Sequence, residues 1–186
     1  VQVDRINRFV EAGLLADRRL ADAALAGQDR NADMFVRLQQ SLGGPDDASS
    51  LVARLGDFEA ALINASADPA SEQRLENVAS RLDGVVQTLR DNTKSVQSMR
   101  QEADAAIARD VTTLNTALKQ VEARNADILR ISSTGNDPSA LLDARQRAID
   151  TVADLVPVRE IQQQNGSVGL LTTNGVTLLG SQAVEV

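Results

Sequence analysis

From Pro69 no proline interrupts the chain until Pro138, and the apolar residues between them repeat in sevens. Leu75, Leu82, Leu89, Val96 and Ala103 occupy one heptad position, and Val78, Val85, Met99 and Ala106 the other. Such a repeat puts its apolar residues on one seam of a helix, and that seam has to be buried against other helices. Around Ala103 the register slips by four. Ile107, Leu114, Val121 and Ile128 then carry the seam, with Val111 and Leu118 beside them. A slip of this kind unwinds a supercoil locally, so a straighter region is expected there. At 1.5 Å per residue, a helix over residues 69–132 reaches about 90 Å. That length suits an elongated antiparallel helical bundle and is wasted on a compact small enzyme.

The flanking segments read as helices that pack beside it. From Val3 to Leu42, Val3, Ile6, Val10, Leu14, Leu20, Ala24, Leu25, Phe35, Leu38 and Leu42 recur mostly at three- and four-residue steps. Gly13 and Gly27 each weaken this helix by about 1 kcal/mol relative to Ala, and a bend is allowed there. The sequence GGPDDASS (43–50) gives a loop with Ser49 or Ser50 as N-cap. A short helix follows, with Leu51, Leu55, Phe58 and Leu62 in one stripe, ending near Ala65. Asp68-Pro69 and Asp137-Pro138 both look like helix starts, the aspartate capping free amides and the proline at the first helical position, where a missing N–H costs nothing.

After Pro157 the periodicity changes. Val158, Ile161, Val168, Leu170, Leu171, Val176, Leu178 and Leu179 suggest short strands, joined by hairpins at Asn165-Gly166 and Asn174-Gly175. Residues 183–186 look like the beginning of another strand. The fold class is therefore mainly α: an antiparallel helical bundle with very long helices and a small C-terminal antiparallel β meander. By element type, a helical rod domain covers residues 1–157, and residues 158–186 form the meander.

Composition removes most chemistries. The chain has no Cys and no His, so thiol nucleophiles, histidine bases, disulfides and the usual zinc sites are excluded. A formal charge of −7, with acids and bases interspersed and no basic patch beside aromatics, argues against nucleic acid. The uncharged run between Glu160 and Glu185 holds too many Gln, Asn, Thr and Ser residues to be a membrane span. The N-terminus shows no signal peptide and does not begin with Met, so the chain reads as an excised fragment or a processed chain.

Few clusters remain as candidate sites. Asp46-Asp47 and Glu102/Asp104 lack the spacing of a calcium loop and read as solvated surface. Neither Lys94 nor Lys119 has a Ser-x-x-Lys setting. The glycines of residues 165–180 come without a phosphate-loop lysine and do not join a strand to a helix. No catalytic, cofactor or metal residues are assigned.

Two polar residues sit where apolar ones belong. Asn125 lies in the seam, four residues after Val121 and three before Ile128, and Asn115 lies at its margin beside Leu114. A buried amide needs partners and commonly fixes register. A ligand-binding amide is the weaker alternative, because no constellation surrounds it. Arg145 shares a helical face with Leu141, Leu142, Ala148, Ile149, Val152, Leu155 and Val156. An unpaired buried guanidinium is very unfavourable. Asp143 points to another face and is better placed for Arg147 at i+4. The expectation is a packing lock, with Arg145 reaching acceptors on a neighbouring helix, backbone carbonyls among them.

At these residues the chain resembles a known family. The segment DPSALLDARQRAIDTVADLVPV (137–158) is similar to a characteristic stretch of the bacterial flagellar hook-associated protein 1 family, with Leu141, Leu142, Asp143, Arg145, Ile149, Leu155, Val156 and Val158 on matching positions. VTTLNTALKQVEARNADI (111–128) resembles a family pattern with paired asparagines, here Asn115 and Asn125. Phe58, Pro69 and Arg74 match a third segment, residues 3–15 a fourth, and NGSVGLLTTNGVTLLG (165–180) a glycine-marked hairpin. Ala144 and Gln146 depart from the usual Gln and Asp around Arg145, and Arg124 replaces an apolar residue before Asn125.

The resemblance implies a structural, non-enzymatic subunit joining hook to filament. It would be exported without a cleaved signal peptide through the flagellar type III apparatus and would stand outside the cell. Its implied partners are hook protein and the next junction protein, with self-association through terminal helices that this chain lacks. The chain alone is then expected to be a monomer, with Asp143, Arg145, Asn115 and Asn125 as a structural motif only, no cofactor, and no nucleic-acid or membrane partner. Another flagellar axial protein is the nearest confusion. The rival from a different class is an extracytoplasmic helical-bundle ligand domain of a chemoreceptor, which shares the long amphipathic helices and the acidity.

Overall fold

The computed structural model describes residues 12–44 and 46–186. The expected beginning of the first helix, residues 3–11, lies outside them, as does Pro45. Four helices and three strands follow in order: α1 (Ala12–Leu42), α2 (Leu51–Ser66), α3 (Glu72–Ser133), α4 (Ser139–Ala153), β1 (Val158–Gln162), β2 (Val168–Thr172) and β3 (Thr177–Leu179). The heptad stretch forms one 62-residue helix.

Helix starts follow local chemistry. Ser50 caps α2 and accepts the amide of Ala53 at 3.2 Å. At the second Asp-Pro pair Pro138 is the N-cap, one position before the first helical residue expected for it, and Asp137 accepts the amide of Ser139 at 3.0 Å. The first pair behaves differently. Asp68 and Pro69 are the opening positions of a β-turn closed by the Ser71 amide on the Asp68 carbonyl at 3.2 Å, and α3 begins only at Glu72. Asp at the first and Pro at the second position suit a tight turn as well as a helix start. Ser71 supplies the carbonyl that accepts the amides of Arg74 and Leu75.

The chain divides into two compact units, residues 1–29 with 107–186, and residues 30–106. The division within α3 falls between Ala106 and Ile107, where the heptad register slips. The expected boundary after residue 157 tracks a change of element type, whereas these units follow packing.

In the unit of residues 30–106, partner numbers fall as residue numbers rise. Arg37 pairs with Glu102, Asp57 with Arg81 at 3.3 Å, and the Asn64 carbonyl accepts from Arg74 at 2.7 Å. The end of α1 and all of α2 therefore run antiparallel to α3. Val85 and Met99 are buried here, but Leu75, Leu82 and Leu89 stay about half exposed. One half of the heptad seam faces these partners, and the other half lies at the rim of the contact.

In the other unit one core joins helix and sheet. Leu114, Leu118 and Val121 of α3, Ile149 and Val152 of α4, and Val158, Val168, Leu170 and Leu179 of the sheet form a single cluster. Complete burial of each such side chain contributes about 1.5–3 kcal/mol. On α1 the helix is as expected, but of the expected Leu14, Leu20, Ala24 and Leu25 in this unit only Leu20 turns inward. Leu14 and Leu25 are exposed, and the face turned inward carries Leu15, Ala16, Arg19, Leu20 and Ala23. Small alanines make that face quieter in sequence than the exposed leucines.

The sheet is antiparallel in the order β1-β2-β3. Both loops use the same device. Gly166 donates to the Gln163 carbonyl at 3.0 Å and has φ 84°; Gly175 donates to Thr172 at 2.9 Å and has φ 85°. These are three-residue loops closed by a left-handed glycine, a role in which a side chain would be strained.

Candidate functional site

Asn115, Asn125, Asp143 and Arg145 all belong to the unit of residues 1–29 and 107–186, where α3 meets the sheet. β2 is the central strand. Ser167 pairs with Gln163 across the first loop, and Thr173 donates to Pro157, so the backbone groups of odd-numbered β2 residues face β1. Those of Val168 face the opposite edge. There β3 pairs only with Leu170 and Leu171 and does not reach Val168. The Val168 N–H and C=O are fully buried and need a partner.

Asn125 is that partner. Its Nδ2 donates to the Val168 carbonyl at 2.8 Å, and its Oδ1 accepts the Val168 amide at 3.1 Å. A carboxamide carries the donor and acceptor of a peptide group, so one helix side chain stands in for the missing strand. Ten residues earlier, Asn115 repeats the arrangement with the backbone of Val186, at 3.1 and 3.0 Å. Between them Glu122 accepts the Ala183 amide at 3.0 Å. Seven helical residues rise about 10 Å and three extended ones about the same. The extended segment from Ala183 to Val186 therefore keeps step with α3 from Glu122 back to Asn115.

Arg145 closes the arrangement. It is 4% exposed, and its Nη1 donates to Asn125 Oδ1 at 3.0 Å and to the Gly166 carbonyl at 3.1 Å. Asn125 Oδ1 thus receives two donors, which fixes the orientation of the amide. The Gly166 bond carries α4 onto the first hairpin loop. Burial pulls the Arg145 pKa down from its ordinary value, and the charge of Glu160 opposes this. Among the described residues Arg145 Nε is buried without a hydrogen-bond partner. Asp143 lies half-buried two residues earlier in α4. The hydrogen bonds of Arg145 bring together Asn125 and Gly166, while Asn115 acts one layer away at the tail.

A second buried arginine escaped the sequence reading. Arg19 of α1 is 3% exposed and donates to Asp150 at 2.7 Å, to the Gln146 side chain at 2.7 Å, and to Glu160 of β1. Arg18 adds a bond to the same Asp150 oxygen at 3.1 Å. These bonds tie α1 to α4 and to the sheet. The signal was present, because Arg19 interrupts the Leu15/Leu20/Ala23 stripe just as Arg145 interrupts its own.

Two of the acidic candidates, Asp47 and Glu102, are engaged within the chain. Asp47 accepts the Ser49 amide at 2.8 Å and its hydroxyl at 2.7 Å, and these bonds hold its carboxyl below the usual 3.8. Glu102 is likewise lowered, mainly by its hydrogen bond from Arg37. Among the described residues no group of three or more His, Cys, Asp or Glu is placed to hold a metal ion. None of the described helices is long and apolar enough to cross a membrane. The buried hydrogen bonds of Asn125, Arg145 and Arg19 all go to groups of this chain, to backbone and to other side chains. This is the chemistry of a structural element: a helical domain whose appended sheet is fastened to it through side-chain amides and guanidinium groups.

Comparison with known proteins supplies the family. The family described as the flagellar hook-associated protein FlgK helical domain matches residues 35–185, and the chain belongs to it. Flagellar hook-associated protein 1 of Escherichia coli (strain K12) is 24% identical over the whole of this chain, and that of Salmonella typhimurium 26%. The chain spans 34% of the length of these relatives. A solved structure, the flagellar hook junction protein FlgK from Burkholderia pseudomallei, superposes with a TM-score of 0.81 at 19% identity, covering 89% of this chain and 29% of that one. The shared fold is the helical domain with its small sheet. None of these matches supports the chemoreceptor reading.

Proposed function

We propose that the chain is part of a structural, non-enzymatic subunit of the bacterial flagellum that joins hook to filament outside the cell. The observation that carries this is the family match over residues 35–185. The inward-facing polar chemistry is consistent with it, since the arginines and asparagines of the site fasten the fold to itself. The partners would be hook protein on one side and the next junction protein on the other. Self-association would run through terminal helices outside this chain, and the chain alone would be a monomer. Export would proceed without a cleaved signal peptide, and residues 158–186 would lead into an outer β-rich domain. Asp143, Arg145, Asn115 and Asn125 would serve the fold alone.

The test is deletion of the whole gene from its source bacterium. Hooks should still form, while filament subunits are shed into the medium. Deleted cells that keep attached filaments would overturn the proposal.

A further inference from the structure

Both hairpin loops turn on an Asn-Gly pair, and the two pairs differ in one structural respect. The amide nitrogens of Gly166 and Gly175 are engaged alike, at 3.0 and 2.9 Å to the carbonyl three residues back. Both asparagines are exposed. The carboxamide of Asn165 is tethered, its Oδ1 accepting the Ser167 amide at 3.0 Å, while the single proton of the Ser167 hydroxyl, 2.6 Å from both Asn165 Oδ1 and Gln163 Oε1, is shared between these two acceptors. Among the described residues the carboxamide of Asn174 has no hydrogen-bond partner. Across the second loop the corresponding amide, that of Val176, is taken by the Thr172 hydroxyl at 3.0 Å instead.

We propose that Asn174 is a site of spontaneous deamidation in the folded protein, and that Ser167 shields Asn165 from the same reaction. The Gly175 backbone nitrogen attacks Asn174 Cγ. An N–C bond forms, the Cγ–Nδ2 bond breaks, and ammonia leaves with the amide proton, giving a cyclic imide. Water then opens the ring at Cγ to give aspartate, or at the backbone carbonyl to give isoaspartate. Glycine after the asparagine leaves the attacking nitrogen without a neighbouring Cβ. The step also needs the asparagine side chain to leave its resting rotamer and bring Cγ over the next nitrogen. The Ser167 amide bond and the shared hydroxyl bond oppose that movement at Asn165, and among the described residues no hydrogen bond opposes it at Asn174.

The consequence at each site differs as well. Isoaspartate at 165 would lengthen the backbone of the loop whose Gly166 carbonyl is held by Arg145. At 174 the change falls on a loop that the site does not grip. Either product adds a negative charge to the exposed β2–β3 turn.

The experiment is ageing of the intact chain in mildly alkaline buffer, followed by digestion after Arg159. The peptide of residues 160–186 carries both asparagines, so electron-transfer fragmentation assigns the modified position and separates isoaspartate from aspartate. In the folded protein Asn174 should convert roughly five- to thirty-fold faster than Asn165, the factor that one or two hydrogen bonds impose. In urea the two rates should approach each other. Ser167→Ala should speed conversion at Asn165 and leave Asn174 unchanged. Equal native rates, a faster Asn165, or a ratio that survives in urea would each overturn the proposal. If Ser167→Ala does not fold, the native-against-urea comparison of the unsubstituted chain decides alone.

Discussion

Replacing Asn125 with alanine removes three hydrogen bonds at once, and their surroundings set the size of the effect. The Val168 N–H and C=O lose their partners at 3.1 and 2.8 Å, at a residue that is fully buried. β3 ends short of them, so no strand can take over. Each buried backbone group left unsatisfied costs about 1–3 kcal/mol. Arg145 keeps its bond to the Gly166 carbonyl but loses Asn125 Oδ1. The expected loss for Asn125→Ala is about 3–5 kcal/mol. For a chain of this length that lowers Tm by roughly 6–20 °C.

Urea unfolding followed by far-ultraviolet circular dichroism measures the loss, and amide exchange at Val168 localises it. Asn125→Asp is the informative companion. It keeps an acceptor for the Val168 amide and for Arg145 but sets an oxygen against the Val168 carbonyl, so its cost should be intermediate. If Asn125→Ala costs less than about 1 kcal/mol and Val168 exchange is unchanged, the strand-surrogate role is wrong.

Arg19→Met should destabilise by about 1–3 kcal/mol, because Glu160 and Asp150, the latter 38% exposed and still bonded to Arg18, lose a partner; denaturant titration checks it, and a loss within surface-mutation range would reject the tie. Gly169→Ala should cost about 1–3 kcal/mol, since an added Cβ would lie 3.0 Å from the Leu179 carbonyl oxygen inside the sheet; thermal unfolding tests it. Asp47 should titrate below 3.8 by nuclear magnetic resonance, the bonds from Ser49 being the cause. Its folded pKa is depressed, so the loop stability it contributes is present above 3.8 and is lost as pH falls through the lowered value. Ser49→Ala, which removes the largest cause, should move that titration back toward 3.8.

The long helix, the short helix with its Ser50 cap, and the three strands were legible because each rests on local pattern. Heptad spacing, capping residues and Asn-Gly pairs all act within a few residues. The buried face of α1 was not legible, since alanines give a weaker stripe than the leucines that turned out exposed. Asp68-Pro69 misled for a related reason, because the same dipeptide opens turns and helices and only the position of Ser71 separates them. For the candidate site, the anomalies at Asn125 and Arg145 stood out as polar residues in apolar stripes. Their partners did not, because Val168 and Gly166 offer only backbone, which every residue offers. Arg19 carried the same signal as Arg145 and was obscured by the wrong choice of helical face.

The paired amides of α3 also bear on how the chain meets its neighbours. An open strand edge is a template on which another chain can add by backbone pairing. At Val168 and Val186 that template is already filled, by Asn125 and Asn115, with groups that cannot propagate a ladder. The side chains that hold the sheet to the helix thereby guard those positions against edge-to-edge aggregation. In β2 they do so without a charged or proline residue in the strand itself.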